Sequence, residues 1–103
     1  MSKPATVNVL YPRKDGSTFD LKYYLDTHMP MVYKHWNSHG LKSFKVTQYG
    51  EGPYTMNCSM EWDSVDAFKT AGTLACATEI FGDISNFSTE QPVIIGGEVV
   101  GTS

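Results

Sequence analysis

Nine residues, Tyr54–Trp62, alternate strictly. Tyr54, Met56, Cys58, Met60 and Trp62 fall on one side, and Thr55, Asn57, Ser59 and Glu61 on the other. Only an extended strand separates side chains with a period of two, so this segment reads as a strand with one apolar and one polar face. A strand divided in this way belongs to an antiparallel sheet covered on one side, because parallel sheets are buried on both. The chain must therefore supply helices for one face and leave the other to water or to a second sheet.

The stretch Phe19–Val32 supplies the first cover. Leu21, Leu25, His28, Val32 and Trp36 follow a helical spacing, which places a histidine on the apolar stripe. Pro30 stands two residues after it. Proline cannot donate to residue 26, and it disfavours the helical conformation at Met29, so a kink or break is expected beside His28. Thr18 or Asp20 can cap this helix, which runs to about His28, with a second piece over 30–37 and a stop at Gly40.

The remaining segments complete the order. Residues Ala5–Tyr11 read as a strand, 12–18 as a loop, and Leu41–Tyr49 as a second strand. Gly50-Glu51-Gly52-Pro53 is a turn. Asp63 or Ser64 caps a second helix carrying Val65, Phe68, Leu74 and Ala75. Residues 82–87 connect it to a last strand over 91–100, interrupted at Gly96-Gly97. The order β-α-β-β-α-β is the α+β, ferredoxin-like plan: a four-stranded antiparallel sheet, with the first and third strands central and two helices on one face. Val7, Val9, Tyr11, Tyr54, Met56, Cys58 and Trp62 would face the helices. Thr6, Asn8, Thr55, Asn57, Ser59 and Glu61 would form the other side.

With 103 residues the chain reads as one domain, 1–103, with a thin core. A net charge of −3, with no basic run beyond Arg13-Lys14, disfavours nucleic acid as a partner. No segment reaches the length of a membrane span, and the amino terminus has no signal-like apolar run. Two cysteines, Cys58 and Cys76, make no disulfide framework, so a cytoplasmic chain with reduced thiols is expected.

His28 is the candidate for chemistry. Histidine changes charge near neutral pH, as proton transfer requires. The bland alternative is a core histidine bonded to a carbonyl that Pro30 frees. No acidic residue stands at a helical spacing that would orient the ring, so its partner should come from a strand. Tyr24 precedes His28 by one turn and can reach the same pocket, whereas Tyr23 reads as packing. Tyr11, Met29, Tyr54 and Trp62 are the further candidates to line that pocket. His35 and His39 have metal-ligand spacing but no third ligand; in a last helical turn they complement the helix dipole, and no metal is expected. Neither cysteine has a basic neighbour in sequence that would make it a nucleophile.

Tyr11-Pro12, Gly16, Phe19-Asp20, Tyr23-Tyr24 and His28-Met29-Pro30 together resemble the EthD family, named for ethyl tert-butyl ether degradation. Asp63-Ser64-Val65 with Ala67-Phe68, Glu79-Ile80 with Gly82-Asp83-Ile84, and Gln91-Pro92-Val93-Ile94 extend the likeness over nearly the whole chain. The resemblance implies a dimeric α+β barrel, in which two ferredoxin-like sheets close on each other and the polar sheet face meets a second copy. It also implies a cleft between each sheet and its own helices. Members of the family are often called reductases or oxidoreductases, while the wider superfamily spans monooxygenases, cyclases, decarboxylases, haem-degrading enzymes and plain binding proteins. No nucleotide-binding fingerprint and no nucleophile elbow is present, so a cofactor-free reaction is expected. The haem-degrading set places a histidine on the second helix; this chain has none between Val65 and Phe87. The expected protein is a homodimer that holds a hydrophobic, oxygen-bearing small molecule beside His28 as acid or base. The alternatives are a non-catalytic carrier and a polyketide cyclase or decarboxylase.

Overall fold

The structure is a computed structural model and describes residues 3–103. Strand β1 (Ala5–Pro12) leads to a helical segment: α1 (Leu21–Tyr23), a π-helical turn (Tyr24–His28), α2 (Met29–Trp36) and a 3-10 turn (Asn37–His39). Strands β2 (Leu41–Gln48) and β3 (Tyr54–Trp62) form a hairpin. Helices α3 (Val65–Ala71) and α4 (Ala75–Gly82), a 3-10 turn (Ile84–Asn86) and strand β4 (Val93–Glu98) complete the chain order. The sheet order is β2-β3-β1-β4 and all pairings are antiparallel, which is the ferredoxin-like arrangement the alternation of β3 demands.

One face of the sheet is dry. Val7, Tyr11, Met56, Cys58, Met60 and Trp62 are buried against Tyr24, Met29, Val32, Trp36, Ala77 and Ile80. On the other face Thr6 bonds Glu61 and Asn57 bonds Asn8, while Val93 and Ile95 stand 40% and 54% exposed. Side-chain caps start α1 and α3. The Asp20 carboxylate accepts the Tyr23 N–H at 3.0 Å, and the Ser64 hydroxyl accepts the Ala67 N–H at 3.0 Å.

Four sequence expectations are corrected. The helix does not break at Pro30: Met29 keeps a right-handed helical conformation (φ −66°, ψ −38°). The Met29 N–H instead reaches back five residues to the Tyr24 carbonyl, and this wider turn lets a fresh α-helix begin with Pro30 in its first turn, where no donor is required. The extra residue in that turn changes the buried face. Leu25 points outward at 45% exposure, while Tyr24, His28, Val32 and Trp36, each four apart, go inward. In a regular α-helix such a spacing drifts by ~40° per step; the π turn takes up the drift. The second helix is divided at Gly72-Thr73-Leu74 into α3 and α4. Strand β4 runs unbroken through Gly96 and Gly97, which pair with Val7 and Thr6; a side chain at Gly96 would meet Val7 Cγ2 at 3.2 Å, so glycine lets the strands pair there.

Candidate functional site

The π turn aims two rings at one space. Tyr24 and His28 stack nearly parallel, 5.5 Å between centroids, and Phe87 packs against His28 at 4.5 Å. His28 is 4% exposed. Its Nδ1 lies 2.8 Å from Asp83 Oδ2. Asp83 caps the end of α4 and starts the 3-10 turn, so the orienting carboxylate comes from the helical layer and not from a strand. It is held in turn: Tyr23 Oη donates to Oδ1 at 2.7 Å, and Asn86 Nδ2 donates to the same oxygen at 2.8 Å. Tyr23 is thus more than packing, and His28 is bonded to a carboxylate rather than to a carbonyl freed by Pro30.

Electrostatics fixes the charges. Burial pushes the His28 pKa below its ordinary value, against the hydrogen bond and charge of Asp83, which raise it. Burial alone would raise the Asp83 carboxyl, but hydrogen bonds from Tyr23, Asn86 and His28 outweigh it and hold the acid below its ordinary value. At neutral pH the pair is a neutral imidazole beside a carboxylate. A carboxylate only accepts, so Nδ1 carries the proton and donates it, leaving Nε2 as the basic nitrogen.

His28 lines a cavity of about 40 Å³ between the sheet and the helices, together with Tyr11, Tyr24, Met29, Cys58 and Met60. Its outer rim is Phe81, Pro92 and Ile94, with Phe81 41% exposed. The chamber holds on the order of a few waters, too little for fused rings as it stands. Tyr11, Tyr24, His28 and Met29 are therefore brought together. Tyr54 and Trp62 are not. The β1–β3 register shifts between Tyr11 and Pro12, a bulge that turns Tyr54 into a surface hollow with Leu10 and Tyr49. Trp62 lies outside the cavity, fully buried and edge-on to Trp36 and Phe68.

Burial raises the pKa of the Cys58 thiol to about 11, and its sulfur lies 3.9 Å from Met29 Sδ, so it is not a thiolate. His35 Nε2 lies 2.9 Å from Glu79 Oε2 and His39 is exposed. Among the described residues no three His, Cys, Asp or Glu side chains come together as a metal site. A larger recess of about 220 Å³ opens on the far side of Tyr11, but the guanidinium of Arg13 beside it is taken up by the carbonyls of Tyr49, Gly52 and Tyr54. No described helix is long and apolar enough to cross a membrane.

Sequence reasoning missed Asp83 and Phe87 as partners of His28, and Tyr23 as the partner of Asp83. The one signal was Gly82-Asp83-Ile84, which carries part of the family likeness.

Comparison with known proteins fixes the ancestry. The crystal structure of an EthD-like protein from Ralstonia eutropha is similar over 100% of this chain and 97% of its own, at 32% identity and a TM-score of 0.86. The chain belongs to the EthD family. An EthD family protein from Bacillus halodurans aligns over 94% of this chain and 99% of its own, at 22% identity and a TM-score of 0.72. A cofactor-independent oxygenase from Streptomyces nogalater shares the fold at 11% identity, 99% and 97% coverage, and a TM-score of 0.69. No family model and no curated protein matches the sequence. As an EthD protein the chain shares its fold with a cofactor-independent oxygenase, and fold alone does not select a reaction.

Proposed function

We propose that this EthD protein is a small homodimeric enzyme that performs cofactor-free acid–base chemistry on a hydrophobic, oxygen-bearing molecule. The observation that carries this reading is the His28–Asp83 pair at the wall of an apolar cavity. A histidine serving only as core needs one hydrogen bond. Here a carboxylate with two further donors of its own fixes the tautomer, and the other ring nitrogen is left to the cavity. That is the arrangement of a general base with its orienting acid. A low pKa keeps the base unprotonated through neutral pH.

The fold likeness to a cofactor-independent oxygenase supports an oxidoreductase role, because proton removal from a phenol or enol precedes attack by oxygen in such chemistry. The small chamber disfavours fused-ring cyclisation. A carrier without chemistry is the second reading, and the tight apolar lining favours it.

Oxygen-bearing apolar compounds, incubated with the protein and monitored by mass spectrometry for conversion, separate the readings. Turnover that disappears in His28→Gln, with the fold intact, supports the enzyme. Compounds that bind equally well to both proteins and are never converted would leave the carrier.

A further inference from the structure

Two phenols, Tyr11 and Tyr24, share the cavity with His28 and are 2% and 1% exposed. Their rings meet edge to face, 6.0 Å between centroids. Tyr23 bonds Asp83 through its hydroxyl, whereas the Tyr24 hydroxyl has the Cys58 thiol as its partner and the Tyr11 hydroxyl has Cys58 as its titratable neighbour. A thiol is a weak acceptor. Neither hydroxyl is among the buried atoms left without a partner, but neither bonds an oxygen or nitrogen among the described residues, so each can take a stronger acceptor from a guest. Burial raises both phenol pKa values, so the hydroxyls stay protonated and remain donors at every working pH.

The stronger partner that both phenols can take is an acceptor oxygen. The group that carries this oxygen must be small, since the chamber is about 40 Å³, and the remainder of the molecule must be apolar, since Phe81 and Ile94 form a half-open rim. His28 lines the same space, with its Nδ1 committed to Asp83 and Nε2 left as the basic nitrogen. We infer that Tyr11 and Tyr24 form an oxyanion site beside His28, and that the substrates are enolisable carbonyl compounds with a narrow head and an apolar tail. The carbonyl oxygen accepts from the two phenols. His28 Nε2 takes a proton from the α-carbon; the C–H pair becomes the C=C bond, and the carbonyl π pair moves to oxygen as the enolate. The reverse step returns a proton to carbon. Donors set in place for a developing oxyanion act most strongly in a dry site. This inference rests on the acid–base reading of His28.

The test is α-hydrogen exchange. Acetone, butanone and methyl hexyl ketone are incubated with the protein in deuterium oxide, and NMR tracks deuterium entering beside the carbonyl. Binding is measured in parallel by protein chemical shifts. The expected result is exchange above the buffer rate that increases with tail length. It is lost in His28→Gln and falls about 10- to 1,000-fold in Tyr11→Phe and Tyr24→Phe while ketones still bind. Each phenylalanine variant removes one oxygen atom, and a thermal melt verifies its fold. Exchange that needs His28 but is unchanged in both phenylalanine variants overturns the oxyanion site and leaves the base. Ketones that bind without exchanging, or that do not bind, overturn the substrate class.

Discussion

Tyr23 Oη donates to Asp83 Oδ1 at 2.7 Å, on the far side of the carboxylate whose Oδ2 faces His28. One residue of the π-helical segment's start thus steadies the partner of the residue at its end. Asp83 does not line the cavity, so it acts through His28. Asp83→Asn removes the charge and hydrogen bond that raise the His28 pKa. The expected outcome is a His28 pKa lower than in the parent, seen by imidazole NMR, with turnover down about 10²–10⁴-fold. Tyr23→Phe leaves the carboxylate in place and should move its pKa upward with a smaller loss of rate. If Asp83→Asn changed stability but neither the pKa nor the rate, Asp83 would be only structural.

Stability should fall in two steps on acidification. The folded protein keeps His28 neutral below the ordinary pKa of 6.5, where the unfolded chain is protonated. The unfolded state then binds more protons, so stability is lost as pH drops from about 6.5 toward the folded pKa. Asp83 is depressed below its ordinary 3.8, so its contribution is present above that value and is lost as pH falls through the lower, folded pKa. Urea midpoints measured between neutral and acid pH should show the first step in the parent and not in His28→Gln.

The sheet was legible because β3 alternates and the two faces differ in polarity; the strand order came from the element order. The π turn was not. Pro30 announced a disturbance, but whether a helix kinks, stops or widens depends on what its neighbours hold. Here Asp83 and Phe87 hold His28 in place through contacts absent from the local sequence. Asp83 stands 55 residues from His28, and nothing in its spacing tied it to the ring. The Tyr54 reading failed for a related reason: one bulged residue reverses a face, and a period-two pattern does not show it.

Gly40 closes the first helical layer in a left-handed conformation, φ +114°. A Cβ there would also stand 3.0 Å from Ala67 Cβ on α3. Gly40→Ala combines backbone strain with a contact that no flexible side chain can relieve. The expected cost is about 1–3 kcal/mol, read as a lower urea midpoint with an unchanged slope. An unchanged midpoint would mean that α3 shifts freely against the 3-10 turn.

The proposed homodimer uses the open sheet face. Ile95 pairs across from Asn8 on β1, on the side away from the helices, and stands 54% exposed. In a two-fold interface each such residue counts twice, and fully burying one isoleucine contributes about 1.5–3 kcal/mol. Ile95→Lys should therefore dissociate the dimer by placing an uncompensated charge in each half. The fold should survive, because the side chain belongs to no buried cluster within one chain. Sedimentation velocity on the parent is expected to show twice the mass of one chain, and on the variant a single chain with the parent's circular dichroism. A parent that sediments as one chain at high concentration would remove the barrel and leave the His28 cavity as a property of the monomer.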